Sequence, residues 1–171
     1  MNALEKLTLS DVKSDTLNLD EYLKKYSNKT EIIRNHEKYN PRDDILDKIK
    51  DILNEKDENL NIFVMGASWC EDCIKHVPTL IKIVEAMASD RVNLQILYGI
   101  KTNPLKKKEK YIWHEKYSPP EAMNPHFDVI AIPMFYLFNK KGKYLGRIVE
   151  EPKEDSTLEE DIYELLKMAL S

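Results

Sequence analysis

The sequence predicts an α/β fold, and three observations carry that prediction. A short unbroken apolar run, NIFVMGA, follows the polar break NEKDEN and has the length and composition of a buried strand. From Cys70 to about Met87, Ile74, Val77, Leu80, Ile81, Val84 and Met87 recur at helical spacing, with Pro78 inside the run. A second strand-like run, RVNLQILYGI, comes next, so the chain reads as helices, then β-α-β, then α-β-β-α.

Residues 1–58 read as a helical extension ahead of a domain spanning 59–171. Thr30 is placed to cap EIIRNHEKY, and Asn40 followed by Pro41 is a start signal, because proline at the first helical position gives up no needed donor. Asp43 and Asp44 then fall where the helix dipole favours anions, and Ile45, Leu46, Ile49, Ile52 and Leu53 share one face. After the second strand, residues 101–127 form a polar, proline-dotted connection with a helix expected around Leu105 to Lys116. IPMFYLFNKKGKYLGRIVE reads as two strands joined at NKKG, where Gly142 supplies the positive φ of such turns. A last helix follows: Thr157 and Glu160 have capping-box spacing, and Leu158, Ile162, Leu165, Leu166, Ala169 and Leu170 form its apolar stripe.

Composition narrows the function. At 171 residues, 42% hydrophobic and 33% charged, the chain is long and apolar enough for one globular core and too polar for a membrane protein. A net charge of -4 gives no general attraction to phosphate backbones, and the run LKKKEK reads as a solvated helix face, so nucleic acid is not an expected partner. The opening MNALEKLTLSDVKSD lacks the apolar core of a secretory signal and no run is long enough to span a bilayer, which leads us to expect a cytoplasmic protein with no membrane partner.

Both cysteines lie in SWCEDCIKHVP, Ser68 to Pro78. Two thiols are too few for a disulfide framework, which favours a catalytic or metal role. The thiolate is the reactive form, and Cys70 at the first turn of a helix sits near unpaired backbone N–H groups and the positive end of the dipole, so its pKa should fall. Cys73, three positions on, faces the same way and can attack a mixed disulfide formed at Cys70. The carboxylates of Glu71 and Asp72 oppose ionisation, which predicts a reductant rather than a strong oxidant. A zinc site needs two further ligands, and His36, His76, His114 and His126 form no closely spaced pair, so no metal is expected.

The combination of a strand, WCxxC opening a helix, Pro78 five residues after Cys73, and a later Ile-Pro before a strand pair with a glycine turn resembles the thioredoxin-like family. The segment HFDVIAIPMFYLFNKKGKYLG, His126 to Gly146, is similar to that family's last helix end, cis-proline strand and hairpin, and the resemblance covers about residues 60–170. SWCxDC is similar to small thioredoxin-related proteins with a Trp-Cys-Pro-Asp-Cys site, and the preamble to thioredoxin-like proteins with an added N-terminal segment. The resemblance implies a thioredoxin-like fold, a central mixed β-sheet flanked by helices, and thiol-disulfide exchange without a bound cofactor. It implies that Cys70 is the exposed attacking cysteine and Cys73 the buried resolving one. Trp69, Glu71 and Asp72 would flank the site, and Ile132 and a cis Pro133 would hold an extended substrate chain. The expected partners are disulfide-containing proteins or small thiols and an external reductant. Two departures stand out. Val64 occupies the place of the family's buried aspartate, leaving Asp72 or His76 as stand-ins, and the stretch between Ile100 and Pro133 is longer than the family minimum. The rival readings are a non-catalytic binding module, a redox sensor, and a metal carrier using Cys70, Cys73 and His76.

Overall fold

The computed structural model describes residues 2–104 and 112–171. Four strands form one mixed sheet in the order β2-β1-β3-β4. Strand β1 (Leu60–Met65) is the inner strand that the apolar run predicts. It pairs in parallel with β2 (Val92–Leu97), Leu60 opposite Val92, and antiparallel with β3 (Met134–Phe138), Val64 opposite Phe135. Strand β4 (Tyr144–Val149) closes the other side antiparallel to β3. Its turn is the one expected: Gly142 has φ +84°, and its N–H donates to the Asn139 carbonyl at 2.9 Å.

Five α-helices flank the sheet among the described residues: α1 (Leu19–Lys25), α2 (Thr30–Lys38), α3 (Asp43–Lys56), α4 (Glu71–Met87) and α5 (Leu158–Ala169). Helix α4 joins the parallel pair β1 and β2, as a parallel connection requires, and runs without a break through Pro78. Helix α5 packs on β4, and α3 packs on both α4 and α5.

Two helix starts differ from the sequence reading. Thr30 is the first helical residue of α2 behind Lys29, and its side chain caps nothing. Helix α3 begins at Asp43 rather than Pro41 because Arg42 has tertiary partners that hold it extended. Its N–H donates to the buried Glu159 carboxylate at 3.0 Å and its guanidinium to Glu160 at 2.5 Å. The expected helix at Leu105 to Lys116 falls mostly on residues 105–111, outside the described residues. Its described end is not helical. Trp113 bridges Thr102, and its indole is buried with Nε1 donating to the Val129 carbonyl at 2.8 Å, which fixes the backbone in another conformation.

The first 58 residues are built into the same core as the rest. Leu7, Tyr22, Ile32, Leu46, Ile49 and Leu53 belong to one hydrophobic cluster with the strands and with α4. Helix α2 lies along α4, the helix that carries the cysteines.

A carboxylate fixes the leading segment. Glu121, 2% exposed, accepts hydrogen bonds from the N–H groups of Lys13 (2.7 Å) and Ser14 (2.8 Å) and from the Ser14 hydroxyl (2.6 Å). Burial raises its pKa, but these donors outweigh burial and hold the carboxyl below its ordinary value. A group depressed in this way adds stability above its unfolded pKa and loses it as pH falls through the folded one. Glu121→Gln should therefore lower the unfolding free energy at pH 7 by about 1–3 kcal/mol. In urea titrations the difference from the wild type should shrink below about pH 4.

Candidate active site at the start of helix α4

Strand β1 ends at Met65, and the chain turns through Gly66 to Trp69 before α4 begins. Gly66 is required by close approach. A Cβ there would lie 2.9 Å from Cys73 Sγ and 3.0 Å from Tyr98 Cε1. Gly66→Ala should displace Cys73 and destabilise the fold by about 1–3 kcal/mol, read as a lower urea midpoint.

Cys70 is the N-cap of α4. Its φ and ψ are -84° and 123°, and its sulfur accepts the N–H of Cys73 at 3.2 Å. The first N–H groups of a helix have no partner within it, so a sulfur in this position receives donors that favour the thiolate. The Cys70 thiol is accordingly lowered to about 7. The Cys73 thiol is the largest cause, and the backbone N–H groups of Cys73 and Asp72 add to it. Burial and the Asp72 carboxylate oppose the shift. Cys73, fully buried at 0% exposed, is pushed well up by the neighbouring Cys70 sulfur and by burial. The two sulfurs thus differ sharply in readiness to ionise, the division that an attacking and a resolving thiol need.

Each residue named from the sequence can now be placed. Cys70 is 8% exposed, so the expectation of an exposed cysteine is corrected: the Ile132 carbonyl lies 3.6 Å from its sulfur and covers it. The Ile132–Pro133 peptide bond is cis. Ile132 therefore sits at the site, and the Pro133 carbonyl accepts the Glu150 N–H at 2.7 Å, which ties the end of β4 to it. Trp69 is 47% exposed and stands at the rim, its Nε1 donating to the Ile100 carbonyl at 2.9 Å. Glu71 lines a cleft of about 660 Å³ that α2 walls with Arg34, Asn35 and Lys38. Of the two carboxylates expected to oppose ionisation, Asp72 is the one that acts on Cys70.

Val64 is fully buried in β1. Tyrosines gather behind Cys73: Tyr22 of α1 and Tyr98, just past the end of β2, share a hydrogen bond of 2.9 Å, and Tyr26 packs on both rings. Sequence inspection missed this group, because nothing in the local spacing of Tyr22 and Tyr98 announces that they meet.

His76 does not join the cysteines. Among the described residues the side chains placed to share a cation are Asp72, His76 and Glu151, each offering one ligand atom within 4.8 Å of the others. Asp72 and His76 share a helix face by their spacing of four, which sequence can show. Glu151 arrives from beyond β4 and had no such signal.

A mixed four-stranded sheet with two cysteines at the start of the helix after its inner strand, faced by a cis-proline loop, defines a thioredoxin-fold protein. The thioredoxin family model, described as Thioredoxin, matches residues 16–162, and the chain belongs to that family. No curated protein matches the chain. Among solved structures, an HIV epitope-scaffold superposes with a TM-score of 0.62 at 14% identity, covering 95% of this chain and 99% of that one. A protein of unknown function from Pseudomonas aeruginosa gives 0.49 at 16%, covering 84% and 82%. A thiol:disulfide interchange protein of the thioredoxin family from Chlorobium tepidum gives 0.41 at 20%, covering 66% and 81%.

The pKa ordering is open to direct measurement. With a chelator present, the rate of iodoacetamide alkylation at Cys70 should rise with a midpoint near pH 7. The midpoint should move to lower pH in Asp72→Asn, because that carboxylate raises the Cys70 pKa. A midpoint near the ordinary cysteine value of about 8.5 would contradict the geometry.

Proposed function

We propose that this protein is a thiol-disulfide oxidoreductase that works as a reductase on protein or small-molecule disulfides. One observation carries the reading: the Cys70 sulfur caps α4, with the Cys73 N–H 3.2 Å away and the buried Cys73 thiol one turn along. In the reaction, the Cys70 thiolate attacks one sulfur of the substrate disulfide and forms a mixed disulfide, while the other substrate sulfur leaves as a thiolate and takes a proton. Cys73 then gives up its proton and attacks Cys70 Sγ. The mixed bond breaks, the second substrate thiol departs, and the Cys70–Cys73 disulfide remains for an external dithiol to reduce.

Reductase polarity is supported by the Cys70 thiol near 7, which sits with thioredoxin at about 7 rather than with the strong oxidant DsbA at about 3.5. The cis Ile132–Pro133 segment beside Cys70 suits a substrate chain lying extended across the site.

Insulin reduction by dithiothreitol provides the test. The wild type should accelerate precipitation of the insulin B chain, and Cys70→Ser should return the rate to that of dithiothreitol alone. Reduced Cys73→Ser, freed of dithiothreitol and then mixed with insulin, should accumulate a stable mixed disulfide, seen as a mass increase that a reductant removes. A wild-type rate equal to background would refute the reading and favour a binding module.

A further inference from the structure

The first two turns of α4 carry a polar cluster that thiol exchange does not use. Asp72 and His76 project from one face of the helix, and Glu151 comes from the segment after β4. That segment is held by the Glu150 N–H on the Pro133 carbonyl and the Glu151 N–H on the Val149 carbonyl, both at 2.7 Å. One ligand atom from each of the three side chains lies within 4.8 Å of the other two.

One feature of this cluster lacks an internal explanation. The imidazole of His76 is 7% exposed, Nε2 is enclosed without a hydrogen-bond partner, and the ring makes no hydrogen bond among the described residues. A buried ring nitrogen left this way is unfavourable and unusual in a native fold. Beside it stand the carboxylates of Asp72 and Glu151, neither of which enters an ion pair among the described residues, although the Asp72 carboxylate also meets the Glu150 carboxyl. The neighbouring cation, Lys75, acts on His76 only through its charge and bonds to none of the four. An enclosed imidazole nitrogen without a partner, beside two carboxylates that meet no cationic side chain among the described residues, is an arrangement that a bound cation would satisfy.

We propose that Asp72, His76 and Glu151 form a binding site for a first-row divalent transition ion, with zinc as its reference occupant, beside the cysteine pair and independent of it. Zinc and its first-row neighbours bind both imidazole nitrogen and carboxylate oxygen, and three such ligands leave one tetrahedral position open, whereas magnesium and calcium favour oxygen alone. Bonds of about 2.1 Å in tetrahedral array place donors roughly 3.4 Å apart. Helix α4 fixes two of the ligands, and the exposed Glu151 side chain is free to swing in and close the set.

The test uses the full chain with Cys70→Ser and Cys73→Ser, which removes the thiol ligands, so its outcome is separate from that of the exchange reading. Calorimetric titration with zinc chloride should show one ion per chain, and cobalt should give ligand-field absorption without thiolate charge transfer. Adding His76→Gln or Glu151→Gln should weaken zinc binding at least tenfold. Glu151 is exposed, so Glu151→Gln keeps the experiment decisive should His76→Gln fail to fold. Zinc uptake that vanishes with the cysteines, no uptake by the reduced wild type, or affinity unchanged in Glu151→Gln would each overturn the site.

Discussion

The contact between the Cys70 sulfur and the Cys73 N–H is where the backbone of the fold becomes chemistry. A helix that starts abruptly after an inner strand leaves its first donors without acceptors, and water is scarce at the buried end of β1. Hydroxyl or carboxylate side chains usually meet that need. Here a thiol does, and because a thiolate accepts hydrogen bonds better than a thiol, satisfying the helix and ionising the sulfur are one event. Gly66 makes the arrangement possible by leaving room for Cys73, whose buried sulfur in turn donates to its partner.

The leading 58 residues bear on this contact from two directions. Helix α2 lies along α4 and walls the cleft that Glu71 lines. Helix α1 supplies Tyr22, whose hydroxyl meets that of Tyr98 behind Cys73. The Cys73 sulfur is thus backed by neutral phenols, which burial keeps protonated. The extension read from sequence as a preamble therefore helps to shape the surroundings of both thiols.

Much of the fold was legible because its signals are local. An apolar run of strand length, helical spacing from Cys70 to Met87 and a glycine in a tight turn each depend on neighbours in sequence, and β1, α4 and the β3–β4 hairpin appear where those signals lie. The misses have distant causes. Arg42 stays extended, past a proline that should open a helix, because Glu159 and Glu160 more than a hundred residues away bind it. The near burial of Cys70 comes from Ile132, and Glu151 reaches His76 only because the end of β4 is tied to Pro133. Spacing could reveal that Asp72 and His76 share a face, but not what comes to meet them.

The path of the first seventeen residues has a consequence for how the molecule behaves among copies of itself. Thr8 bridges Lys143 beside β4, and Leu17 bridges Ile96 on β2, exchanging hydrogen bonds of 2.8 Å with it in both directions. These are the two outer strands, and an outer strand offers unpaired amides to any extended chain that passes. By laying a residue against each margin, the N-terminal segment occupies at those points the backbone that intermolecular sheet growth would use. The two margins of the sheet are thereby guarded at those points against pairing with a second chain.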